Sequence, residues 1–150
     1  MKKLIAAFVC VVAISASAFA NPLAENVNYK TLNNFKQQFT EAENVNWKIS
    51  TDFVKASFIM DGKSYEAFYN TDGDLIGLSK VMDFNKLPKA ALKTIAKKYP
   101  YPPYKLEECV SFTTGEGDTN YYVSFVTPDE KLVLQVSPSG VVNEFKKIKK

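Results

Sequence analysis

The sequence predicts an α+β fold in which two tandem α-β-β-β-β repeats lay their helices on one face of an antiparallel sheet. Three observations predict it. Adding 67 to the residue number carries Val54 to Tyr121, Ala56 to Val123, Phe58 to Phe125, Tyr65 to Leu132, Ala67 to Leu134, Tyr69 to Val136 and Gly73 to Gly140. Alternate positions therefore stay apolar through a whole hairpin and its following turn, which is the period of a half-buried strand. Ahead of each hairpin, an offset of 60 carries Leu32 to Leu92, Phe35 to Ile95 and Phe39 to Tyr99, one apolar helical stripe per copy. A helix followed by a run of strands, rather than alternating βαβ units, is the α+β pattern.

In chain order, residues 1–20 read as a secretory signal peptide. MKK is a short basic start, LIAAFVCVVAI an apolar run, and Ala18-Phe19-Ala20 a small-x-small cleavage site. The run is too short for a stable transmembrane span, and Cys10 lies inside it, after Phe8 and Val9, a poor position for a lipid-modified first residue. Residues 21–150 then form a single domain of two repeats, about 28–82 and 83–150. The expected location is periplasmic or secreted, with no transmembrane span.

Asn28 is placed to cap a first helix over Tyr29–Phe39, with Tyr29, Leu32, Phe35 (or the stem of Lys36) and Phe39 on its buried stripe. Val45, Trp47 and Ile49 alternate with polar residues, a strand with one buried side. The strand from Phe53 to Met60 enters the two-residue turn Asp61-Gly62, of the type I′ kind in which glycine takes a positive φ without strain. That turn sets Phe58 opposite Tyr65, Ala56 opposite Ala67 and Val54 opposite Tyr69, with all six on one face. Another strand begins after the turn Asn70–Gly73.

Asp83 or Asn85 is expected to cap a second helix with Pro88 in its first turn; Leu87, Ala91 or Leu92, Ile95 and Tyr99 make its stripe. Pro100–Pro103 reads as an extended, stiff segment. Lys105–Thr113 is a strand of weak alternation that leaves the face of Cys109 open. Gly115–Asp118 is a loop, and Tyr121, Val123 and Phe125 pair with Val136, Leu134 and Leu132 around Pro128-Asp129. A last strand covers Val141–Ile148.

At this point a family resemblance is visible. FxxxF before AENVNW (Phe35, Phe39, Val45, Trp47), the hairpin DGKSYEAFYNTDGD, and LPKAALKTIAKKYP from Leu87 to Pro100 resemble the PepSY-like exported proteins, also described as similar to β-lactamase-inhibitor proteins. The resemblance covers the predicted mature chain and implies a small exported protein whose free sheet face binds a partner. Inhibition of a β-lactamase would follow from fold analogy alone, and no inhibitory motif is matched here.

Composition narrows the function. Without Lys2 and Lys3 the chain has 17 Lys against 16 Asp plus Glu, and it has no Arg, the usual bidentate reader of phosphates and base edges, which disfavours nucleic acid. There is no His, so His triads, His metal sites and imidazole proton shuttles are absent. Cys109 has no His to form its thiolate, and its neighbours Glu107 and Glu108 disfavour one. The chain is therefore expected not to be an enzyme and to need no cofactor.

Two candidate sites remain. On the parity opposite the core lie Phe53, Ile59, Phe68, Tyr122, Val126 and Val133, interleaved with Lys55, Ser57, Glu66, Ser124 and Gln135. An apolar patch with a polar rim marks an interaction site, for a protein or peptide of the cell envelope or for a second copy in a homodimer. The alternative is a calcium-responsive domain, because Asn70, Asp72 and Asp74 present oxygens around Gly73 like half of a calcium loop. Lys80, Val81 and Met82 stand where its distal acid would be needed. The second copy has Ser137-Pro138-Ser139-Gly140 at the same turn and no carboxylate.

Overall fold

The computed structural model describes residues 26–150; the signal-peptide reading, Cys10 and the cleavage site lie outside the described residues. The elements are α1 (Tyr29–Gln38), β1 (Glu43–Ile49), β2 (Val54–Met60), β3 (Lys63–Tyr69), β4 (Leu75–Val81), α2 (Lys89–Lys98), β5 (Lys105–Thr114), β6 (Thr119–Val126), β7 (Glu130–Val136) and β8 (Val142–Lys149). A single 3-10 turn, Phe84–Lys86, precedes α2.

The strands hydrogen-bond in chain order as one eight-stranded antiparallel sheet. This corrects the predicted fold class. Two ten-residue helices accompany eight strands, so the protein is mostly sheet and not a balanced α+β fold of two tandem repeats. The physical reason is that hairpin periodicity is local. It fixed the pairing within each hairpin, but the meander runs on through β4 and β5, where alternation is weak. By compactness the described chain divides into two units, residues 26–81 with 112–119 and residues 82–111 with 120–150.

In the first unit, Asn28 caps α1 by accepting a hydrogen bond from the Thr31 N–H at 2.8 Å. Phe35 anchors the helix on the sheet, its ring 5.1 Å from both Trp47 and Phe58. Val54, Ala56, Phe58, Tyr65, Ala67 and Tyr69 complete this core. The hairpin register is the expected one, and Asp61 and Gly62 both have positive φ, 51° and 67°, as a type I′ turn requires. Tyr29 does not join the buried stripe: it is 83% exposed, and Thr31 is fully buried instead. Two residues of helix turn the side chain by about 200°, so Tyr29 and Thr31 cannot share a face.

In the second unit, Ile95, Ala91 and Leu87 pack on Val123, Phe125, Leu132, Leu134 and Val136, and Cys109 belongs to the same cluster. Its face is therefore the helix side. The β6–β7 register sets Tyr121, Val123 and Phe125 opposite Val136, Leu134 and Leu132, as expected. Pro88 rather than Asp83 or Asn85 occupies the N-cap of α2; Asp83 instead accepts from the Asn85 N–H at 2.9 Å and caps the 3-10 turn. Residues 101–103 form a turn with a cis Pro102–Pro103 bond, not the extended segment expected.

Candidate protein-binding face

Each unit has a sheet face turned away from its helix. In the first unit it is set by the side chains that alternate with the α1 core: Lys55, Ser57 and Ile59 on β2, Ser64, Glu66 and Phe68 on β3, Gly77 and Ser79 on β4. Lys55 Nζ lies 2.5 Å from Glu66 Oε1, with the two side chains 11% and 16% exposed, and Ser57 Oγ donates to the same carboxylate oxygen at 3.3 Å. A shielded ion pair with an additional hydrogen bond is far better held than a surface pair, and it fixes the polar part of this face.

Beside it runs an aromatic row. Phe68 has Phe53 on one side and Phe112 on the other, each with ring centroids 6.0 Å away, within the range of favourable aromatic pairs. Gly77 makes room for the row, because a Cβ there would stand 2.4 Å from Cζ of Phe112. Phe112 and Gly77 were not among the residues singled out in the sequence. A glycine inside a strand was the available signal, since it often marks a close approach by another group.

In the second unit the corresponding side chains are Tyr122, Ser124 and Val126 on β6 and Lys131, Val133 and Gln135 on β7. Tyr122 OH accepts from Gln135 Nε2 at 3.1 Å, and its ring meets Phe145 edge-on at 5.2 Å. Burial pushes the Tyr122 hydroxyl pKa up, with the Gln135 bond opposing. Lys131 Nζ lies 2.5 Å from Glu107 Oε2.

The six sequence-selected residues thus fall on these two faces, three in each unit, at different depths. Phe68 (4% exposed), Tyr122 (3%) and Val133 are buried, while Phe53, Ile59 and Val126 are half-buried. The half-buried three are the members of the faces that remain accessible to solvent.

The Asn70–Asp74 turn is occupied with its own bonding. Asn70 Oδ1 accepts from the Asp74 N–H at 2.8 Å, and Asp74 Oδ1 is 2.6 Å from Lys30 Nζ. That lysine holds the Asp74 carboxyl below the usual carboxylate range. Asn28 Nδ2 and Asn34 Nδ2 donate to the carbonyls of Thr71 and Gly73, so the turn is stitched to α1. Among the described residues no group of three or more His, Cys, Asp or Glu is placed to hold a metal. Burial, followed by Asp83 and Glu108, pushes the Cys109 thiol up to about 12, so it is protonated at neutral pH.

Among the described residues no helix is long and apolar enough to cross a membrane. No protein-family model and no curated relative matches the chain. Solved structures do. A DUF2874 family protein from Bacteroides uniformis superposes with a TM-score of 0.69 at 13% identity, covering 81% of this chain and 88% of that one. A structure from Bacteroides eggerthii described as a periplasmic protein gives 0.71 at 13%, over 82% and 88%. A BLIP-like protein from Bacteroides fragilis gives 0.67 at 17%, over 82% and 87%. The fold is shared with these proteins. At such identities the likeness carries the backbone architecture and nothing about individual side chains.

Proposed function

We propose that the protein is an exported, non-enzymatic binding module of the PepSY-like kind, which takes a protein or peptide on a sheet face turned away from the helix of the same unit. The observation that carries this reading is that half-buried Phe53 and Ile59 stand over the buried Phe68 and Phe112 rings and beside the shielded Lys55–Glu66 pair, on a face that α1 does not cover. A solvated sheet face favours charged residues and threonine over phenylalanine. Aromatic side chains next to fixed polar groups are instead the composition of a recognition surface. The N-terminal leader pattern and the shared fold with structures described as periplasmic and BLIP-like support export and an inhibitor-like mode of binding.

The test is affinity capture from the native cell envelope, with the purified protein as bait. Ile59→Asp and Val126→Asp place a charge at half-buried positions of the face, and both should lose the captured partner while melting close to the parent. A homodimer using this face would show instead as a concentration-dependent mass in sedimentation that the same substitutions abolish. Capture and mass both unchanged in these variants would show that this face binds nothing.

A further inference from the structure

Lysine is unevenly divided between the two units. Among the described residues, 82–111 with 120–150 hold eleven Lys against six Asp plus Glu, a net of +5; 26–81 with 112–119 hold six against nine, a net of −3. The excess is concentrated on α2, KAALKTIAKK. Lys89, Lys93 and Lys97 recur every four residues and Lys98 follows; all four are exposed, and the helix has no acidic residue to pair with them. Like charges four apart on a helix repel; the dipole offsets this for Lys97 and Lys98 in the last turn but not for Lys89 at the start.

The adjoining end of β8 extends the surface with Lys147 and Lys149, both exposed. Glu144 ties the two elements together: it accepts from Tyr99 OH, at the C-cap of α2, at 3.2 Å and pairs with Lys147 at 3.1 Å. Directly after α2 come Tyr101, 79% exposed, then exposed Lys105 and Leu106, 42% exposed.

We infer that this lysine face, α2 with the end of β8 and Tyr101, docks the protein on an anionic lipid surface. Charge complementarity calls for an anionic partner. The side chains between the lysines decide which kind: Ala90, Thr94 and Ala96 offer no aromatic or Arg anchor for a protein pocket, and lysine is depleted from the cores of protein interfaces. Ammonium groups on flexible stems suit a fluid layer of phosphates, where each lysine raises partitioning roughly fivefold. Tyr101 supplies the amphipathic ring that settles at headgroup depth. This surface uses none of the sheet-face residues, so the two readings stand or fall separately.

The experiment is co-sedimentation of the protein, in the form the expressing cell produces, with vesicles of phosphatidylcholine alone or with one-third phosphatidylglycerol. Binding is expected on the phosphatidylglycerol vesicles, with little on phosphatidylcholine and loss at about 0.5 M salt, where charges are screened beyond about 4 Å. Replacing Lys89, Lys93, Lys97 and Lys98 together by Gln should lower partitioning at least about a hundredfold. The same four positions as Arg should keep it, which separates loss of charge from loss of fold, and Tyr101→Ser should weaken it several-fold. Equal binding to both vesicle types, or full binding by the Gln variant, would overturn the inference. So would capture of an acidic protein by this face in the absence of vesicle binding.

Discussion

Gly73 lies directly beneath the first turn of α1: a Cβ on it would stand 3.0 Å from the backbone nitrogen of Thr31 and 3.1 Å from its hydroxyl. Gly140 holds the same relation to α2, where a Cβ would meet Ala90 Cβ at 2.9 Å and the Ala91 nitrogen at 3.2 Å. Both glycines have positive φ, 87° and 89°, and both close the turn that follows a hairpin. Each lets a helix start rest on the sheet's own turn without an intervening side chain.

Alanine at Gly73 or Gly140 should therefore cost more than the left-handed backbone alone, which is worth about 1–2 kcal/mol. Gly117 is the internal control, with φ 97° and nothing within 4 Å of its would-be Cβ. Urea denaturation of the three Ala variants should rank Gly73 and Gly140 well above Gly117. Equal losses at all three would mean that the close helix approach contributes nothing.

Thr31 itself carries a second expectation. Its hydroxyl is fully buried and lacks a hydrogen-bond partner among the described residues. Thr31→Val keeps the shape and removes the unpaired oxygen, and it should stabilise by about 1 kcal/mol. A destabilised Val variant in the same denaturation assay would show that the hydroxyl is satisfied in solution.

These positions show what could be read in advance. Both hairpin registers were legible, because the Asp61-Gly62 turn and strict parity leave one pairing that buries Phe58, Tyr65 and Tyr69 together. The core under α2 was legible from Leu87, Ile95 and Tyr99 for the same reason. Thr31 was not, because a buried threonine is indistinguishable from a solvated one until the helix phase is known. The single sheet was not legible either. LEECVSFTT alternates too weakly to announce that β5 continues the meander, so two similar hairpins read as two repeats. On the candidate face, parity located Phe68 and Tyr122 but could not say how deep they lie.

That depth alters what substitution should do. Strand parity taken by itself puts Phe68 off the core and makes Phe68→Ala mild, whereas Phe58→Ala and Phe125→Ala open core cavities and should cost roughly 3–5 kcal/mol. With Phe68 as buried as Phe58 and flanked by two rings, Phe68→Ala should fall in the same range of about 3–5 kcal/mol. Val126→Ala, at a half-buried position, should cost about 1 kcal/mol or less. Chemical denaturation of the four variants decides the ranking.

Cys109 gives a pH signature. Its thiol is raised from 9.0 to about 12, chiefly by burial, so the folded state resists the ionisation that the unfolded chain undergoes. The associated stability is full below about pH 9 and is lost as pH climbs from there toward 12, the direction for an acid whose folded pKa is raised. Burial of Tyr69 acts in the same direction at higher pH. A thiol reagent at pH 8 should leave Cys109 unlabelled in the native protein and react with it fully in guanidinium. Rapid labelling of the native state would contradict the placement of Cys109 in the α2 core.

The turn at Asn70–Asp74 yields the last expectation. A calcium ion there would have to displace Lys30 from Asp74 and break the Asn70 bond to the Asp74 N–H, giving up one tie of the turn to α1 and one bond within the turn. Titration with millimolar calcium should therefore leave the melting temperature unmoved. A ligand that binds only the native state would raise it by mass action, so a rise that Asp72→Ala abolishes would identify the turn as a calcium site after all. The Lys30–Asp74 pair is exposed, and its contribution is correspondingly small and salt-sensitive. Because the Asp74 carboxyl is held below its usual range, that contribution is present above the ordinary carboxylate pKa and fades as pH falls through the lowered one. Asp74→Asn should erase this acid-side dependence without changing the response to calcium. If Asp74→Asn instead uncovered a calcium-dependent melt, the Lys30 pair would be the element that keeps the turn closed to the ion.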